Sequence, residues 1–146
     1  MRKLRRAMQL SFAEWHYLAT ASMELLVARI VHLAFSSQAI LQDLQKGSPS
    51  QSCQAHIQEA VIDVKRLSWA IAVASSHVPW RSDCLIQAIA ARRWLRRYGL
   101  SGDFYLGVAK DPKQGLKAHA WLCLDDLTIT GGNYAPFSPL IKPLAE

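Results

Sequence analysis

Cysteine is scarce in this chain: Cys53, Cys84 and Cys123 among 146 residues, an odd number with no C-x-x-C spacing. A disulfide framework and a four-ligand zinc site therefore have little to stand on, and a reducing, cytoplasmic compartment is the expectation. Long charge-free apolar runs are missing too. The most apolar window, Leu18 to Phe35, carries Glu24, Arg29 and His32. A charge at the centre of a lipid-embedded helix costs about 2.5–3.5 kcal/mol, so no membrane span is expected. The basic start, MRKLRRAMQL, has the charge of a secretion signal, but Glu14 and His16 interrupt the apolar stretch that such a signal needs. Repeats and low-complexity tracts are absent, and 7 Gly and 6 Pro are too few for a disordered or fibrous chain. Acidic side chains are the minority charge, 11 against 17 Lys and Arg, for a formal net charge of +6. That favours acidic partners at long range without choosing among them. Nucleic-acid binding has only this charge behind it, with no basic stretch interleaved with aromatics.

What is present is an ordinary globular composition at the length of one domain, 51% hydrophobic and 19% charged. We expect a single domain over 1–146, with a helical part at 1–78 and a helix plus sheet at 79–146. Ser11 to Ser36 is rich in helix formers and holds neither Gly nor Pro. LQKGSPSQS is a break, after which Ser48, Pro49 and Gln51 have the pattern of a capped helix start. Ile57, Val61, Val64, Ser68 and Ile71 then form an amphipathic stripe, and Pro79 ends it. Ser82 is the expected cap of a third helix, with Asp83 in its first turn and Gly99 at its left-handed end. Beyond Gly99 the period changes to two. Phe104 to Val108 and Lys117 to Leu124 are expected strands, and Asp125-Asp126 turns into a third, Leu127 to Thr130. The tail from Asn133 to Glu146 is expected to be irregular. Helices followed by an antiparallel sheet make the fold class α+β.

Two residues carry chemistry. Cys84 falls in the first turn of the third helix, where unpaired backbone N–H groups and the helix dipole favour a thiolate. A lone cysteine of this kind is most often a small buried hydrophobe. His119 lies on one face of its strand with Lys117, Trp121 and Cys123, opposite Ala118, Ala120, Leu122 and Leu124. By itself it reads as a hydrogen-bonded core residue. Together, a cysteine at the start of a central helix and a histidine on a later antiparallel strand are the papain-like arrangement. There the imidazole takes the thiol proton and later protonates the leaving amine.

The runs CLIQAIAARRWLRRYGL, FYLGVAKDP, HAWLCLDD and TGGNYAPFSPL resemble the leader-peptidase part of the lasso-peptide biosynthesis B protein. That family belongs to the transglutaminase-like superfamily. Its pattern of Cys-Leu, a basic helix ending in Gly, Gly-Val and His-Ala-Trp is met by Cys84-Leu85, Gly99, Gly107-Val108 and His119-Ala120-Trp121. The resemblance implies a transglutaminase-like, papain-like domain that cuts the leader from a ribosomally made lasso precursor. The freed core then passes to an ATP-dependent lasso cyclase, which closes the macrolactam ring. It further implies Cys84 as nucleophile, His119 as base and acid, and no cofactor or metal. A zinc site from Cys84, His119 and Cys123 lacks a fourth ligand.

Two positions depart from that pattern. The superfamily usually has an Asp about a dozen residues after the His, and here that place holds Gly131. Asn133 is the candidate orienting residue in its stead, with Asp126 as the acidic alternative. Cys123 stands where the family often has an acid. No leader-gripping module precedes Ser11, so a separate leader-binding protein is the expected partner. The runner-up is a non-catalytic module that holds the precursor for the cyclase, and a third reading is an amide-transfer enzyme with the same dyad. Arg92, Arg93, Arg96 and Arg97 are read first as a solvated helix end that complements the dipole, second as a patch for an acidic partner. His16, His32, His56 and His77 show no ligand-like pairing, and Trp15, Trp69, Trp80 and Trp94 are read as core or core-edge aromatics.

Overall fold

Ser11 opens the first helix, α1 (Phe12–Ala34), through a reciprocal capping box. Its hydroxyl accepts the Glu14 N–H at 3.3 Å, and its own N–H donates to the Glu14 carboxylate at 2.7 Å. That backbone bond first, and then a bond the Ser11 hydroxyl donates to the same carboxylate at 2.8 Å, hold the Glu14 carboxyl below its ordinary range. The computed structural model describes residues 11–35, 37–45, 57–111 and 115–141. The expected helix start at Ser48, Pro49 and Gln51, and His56, lie outside them.

Three further helices follow: α2 (Ser37–Gln45), α3 (Ile57–Ser75) and α4 (Cys84–Arg97). The sheet is β1 (Asp103–Asp111), β2 (Gly115–Leu124), β3 (Leu127–Thr130) and β4 (Ser138–Ile141), in the order β3-β2-β1-β4 with every pair antiparallel. The fold is α+β, as its sequence pattern predicts. The short α2 was not foreseen by that pattern. The irregular tail is a correction: residues 138–141 pair with β1, Gly107 facing Pro139 and Val108 facing Ser138. A proline is tolerated there because β4 is an edge strand.

The buried layer lies between helices and sheet. α4 is central, and its run Ala88 to Leu95 is buried apart from half-buried Arg93. It packs against α1 and α3 and against β2 and β3, which is why its apolar residues are buried on more than one face, while its last two turns carry four arginines. Small residues such as Ala21, Ala28, Ala70 and Ala74, all at most 4% exposed, let the helices come close. On β2, Ala120 and Leu122 are fully buried on the face next to α4. By length and mean hydropathy (1.3) α1 would suffice to cross a membrane. One of its faces, Ala21, Leu25 and Ala28, is seated in this core, while Met23, Ile30 and Leu33 are exposed.

The same face of α1 buries Glu24, which is 0% exposed. Arg93 Nε reaches one of its oxygens at 3.3 Å and Arg97 Nη2 stands 2.7 Å from the other, off the angle of a hydrogen bond. Arg92, also buried, donates from Nη1 to the main-chain oxygen of Asp43 at 2.5 Å, tying α4 to α2. The arginine-rich end of α4 is thus partly structural. Among the tryptophans, Trp94 is in the core and Trp80 half-buried, whereas Trp15 is 52% exposed and does not belong to the core edge.

Candidate active site

The nucleophile candidate owes its place to the start of α4. Asp83, and not Ser82, is the N-cap: its carboxylate accepts the Ile86 N–H at 3.2 Å, which makes Cys84 the first helical residue. The reason is the extended backbone of Asp83 (φ −70°, ψ 176°), which aims its side chain at the helix end. Gln87 donates from Nε2 to the Ser82 carbonyl at 2.8 Å and ties the entering chain to the helix. At the far end Gly99 (φ +70°) closes a Schellman motif, with Gly99 N–H to Arg96 O and Leu100 N–H to Leu95 O, each at 3.1 Å. Both ends of the helix that carries Cys84 are therefore fixed.

His119 stands on β2 opposite Gly107. It is half-buried, and its Nε2 lies 2.6 Å from the carbonyl oxygen of Gly131. A carbonyl only accepts, so this nitrogen carries the proton, and Nδ1 is left with the lone pair that can receive one. Phe137 flanks the ring at a centroid distance of 4.8 Å. One cavity of about 430 Å³ is lined by both Cys84 and His119, together with Ser68, Gln87, Thr130 and Gly131. No thiol–imidazole hydrogen bond is present among the described residues, as is common before a substrate draws such a pair together. Thr130 Oγ1 is buried at this wall without a hydrogen-bond partner among the described residues, a polar atom for a ligand or water to satisfy.

Asn133 is exposed, and its Oδ1 accepts the Ala135 N–H at 3.2 Å, closing its own turn. The imidazole bonds the main chain of Gly131 and not the Asn133 amide. Asp126 is exposed in the β2–β3 turn, beside Asp125 with its φ of +50°. A side chain cannot replace the carbonyl at Gly131, because a Cβ there would lie 2.3 Å from the Cβ of Trp121. Trp121 is stacked between Tyr105 (5.5 Å, 7°) and Tyr134 (5.1 Å, 6°) and lies over Gly107, where a Cβ would meet its ring at 2.9 Å. The Gly131 role and Phe137 both escape a reading of the sequence. The one signal was Gly131 itself, standing where an Asp is usual. Cys123 sits apart, its thiol pushed up by burial against an opposing Thr128 hydrogen bond.

A thiol at a helix start and an imidazole of fixed tautomer, on a helix and an antiparallel strand around one cavity, define a papain-like α+β domain. The family model for the transglutaminase-like superfamily matches residues 22–142, and the chain belongs to that superfamily. Cysteine peptidases are among its members. No curated protein and no solved structure matches the chain.

Proposed function

We propose that this protein is a cysteine peptidase that removes the leader from a lasso-peptide precursor. The observation that carries the reading is the single cavity holding Cys84 and His119, with the His119 tautomer set by the Gly131 carbonyl. The resemblance to the leader-peptidase part of the lasso B protein, strongest from about Pro79 to Leu140, supplies the substrate.

The chemistry follows from the atoms. His119 Nδ1 takes the Cys84 proton, and the sulfur attacks the carbonyl carbon of the bond between leader and core. The tetrahedral oxyanion is met by the Cys84 N–H, free at the helix start. The imidazolium, its Nε2–H still on Gly131 O, then gives its proton to the leaving amine of the core. Water, deprotonated by His119, releases the leader as an acid and restores the thiol. A neutral carbonyl in place of a carboxylate orients the ring and stabilises the imidazolium less. The partners proposed are the precursor, a separate leader-binding protein and the ATP-dependent cyclase that receives the core.

Mass spectrometry of the precursor, incubated with this protein and the leader-binding protein, tests the reading. One cut between leader and core is expected, falling at least about a thousandfold in Cys84→Ala and His119→Ala. An uncut precursor that the wild-type protein still binds would replace the peptidase with a scaffold that presents the precursor to the cyclase. Amine incorporation instead of cleavage would make it an amide-transfer enzyme.

A further inference from the structure

A second cavity, about 260 Å³, lies where the end of α1 and all of α2 meet α4. Val31, Ile40 and Ile89 form an apolar floor, with Ile40 and Ile89 at most 6% exposed, and Phe35 stands at the rim with 60% of its surface in solvent. The other wall is cationic: Arg92, Arg93 and Arg96.

Charge at this end of α4 is unbalanced among the described residues. Four guanidiniums, of Arg92, Arg93, Arg96 and Arg97, face two carboxylates, those of Glu24 and Asp43. Glu24 is buried and fully committed to α1–α4 packing. Asp43 is different. Its carboxylate is 69% exposed and stands 3.6 Å from Arg92 and 4.0 Å from Arg96, beyond hydrogen-bond range. The cleft already attracts a carboxylate and holds it loosely, so one presented at better geometry can take its place.

The cleft is turned away from the catalytic cavity. Ile89, Arg93 and Arg96 come five, nine and twelve residues after Cys84, roughly 140°, 180° and 120° around α4 at about 100° per residue, with Arg92 nearer at about 80°. A peptide lying in the catalytic cavity does not reach it directly, and so the cleft suits a partner protein better than the bond to be cut.

We propose that this cleft docks an acidic segment of a protein partner, with a large apolar side chain seated on Val31, Ile40 and Ile89 beside a carboxylate paired to the exposed Arg96. The inference rests on the peptidase reading only for the partner's purpose, which is to bring the precursor. The docking itself is independent of catalysis.

The probe is a fluorescein-labelled synthetic peptide that alternates Glu with Leu and Phe, and its anisotropy is followed with the intact Cys84→Ala protein. Saturable binding is expected, weakened about fivefold or more by Arg96→Glu and by Phe35→Ser, both at exposed positions, and weakened by added salt. Asp43→Asn, by removing the resident competitor, is expected to tighten it. Thermal melts of each variant verify that the fold is kept. Unchanged affinity in Arg96→Glu and Phe35→Ser overturns the proposal, as does equal binding of a peptide with Lys for every Glu, or no saturable binding. Arg96-dependent sedimentation with phosphatidylglycerol vesicles while the peptide is ignored would replace the protein partner with a lipid surface. Binding with no cleavage of any precursor would leave this docking site standing and remove the peptidase reading; cleavage with no Arg96 dependence of peptide binding would do the reverse.

Discussion

Gly131 has a positive φ of +98°, a buried tryptophan against its Cα, and a carbonyl that holds His119. The first two of these disfavour a side chain there. The backbone conformation alone costs a non-glycine residue about 1–3 kcal/mol, and the contact with the Trp121 Cβ adds overpacking of similar size. Gly131→Asp, which restores the acid usual at this place, is therefore expected to lower stability by at least about 2 kcal/mol and to reduce activity, read by thermal melts and precursor cleavage. Gly132→Ala, with open space around its Cβ position and a φ of +54°, should cost only about 1 kcal/mol. A Gly131→Asp variant as stable and active as the parent would mean that the backbone at 131 accommodates a side chain beside Trp121 without giving up the bond to His119. At this scale the placement of Cys84 at a helix start and of His119 on a strand was legible in the sequence, because both follow from local pattern. The partner of His119 was not. A main-chain oxygen leaves no mark in a sequence, and the eye goes instead to nearby polar side chains such as Asn133.

Between elements, the joint of α1 with α4 is an ion pair with one deeply buried side. Glu24 has no surface exposed, whereas the Arg93 and Arg97 side chains are 41% and 57% exposed. Removing either side is therefore not equivalent. Glu24→Met leaves two guanidiniums that can turn to water, and its cost is expected to stay below about 1.5 kcal/mol. Arg93→Met with Arg97→Met strands a buried carboxylate and is expected to cost about 3–5 kcal/mol at neutral pH. Urea unfolding of the two proteins checks the order, and equal losses would show that Glu24 reaches water. The ends of α4 were readable as caps, although one residue off at Asp83, since Ser82 and Asp83 are both good capping types and only the backbone conformation chose between them; the Ser11 capping box of α1 was not read. That Arg92 and Arg93 point into contacts with α2 and α1 was not readable, because periodicity shows a polar residue on an apolar face and not what lies across from it.

For the whole molecule, the ends of the sheet decide the site. β4 returns to pair with β1, and the segment between β3 and β4 carries the Gly131 carbonyl, Tyr134 over Trp121, and Phe137 over His119. A chain truncated after Pro136 keeps the helices and the β3-β2-β1 ladder but loses β4 and one wall of the imidazole. It is expected to unfold cooperatively at a lower Tm and to cleave at least about tenfold more slowly; full activity would remove Phe137 and β4 from the account of the site. What the sequence determined by itself was the α+β class, three of the four helices among the described residues, the β1-β2-β3 meander, and the placement of Cys84 at a helix start and His119 on a strand. All of these rest on signals local to a few residues: periodicity, caps and turn chemistry. Only the tertiary structure decided that residues 138–141 are a strand, that Gly131 and not Asn133 holds His119, and that the arginines of α4 wall an apolar cleft. Each depends on which distant segment comes to lie alongside, and that is settled by packing rather than by the order of residues in one stretch of chain.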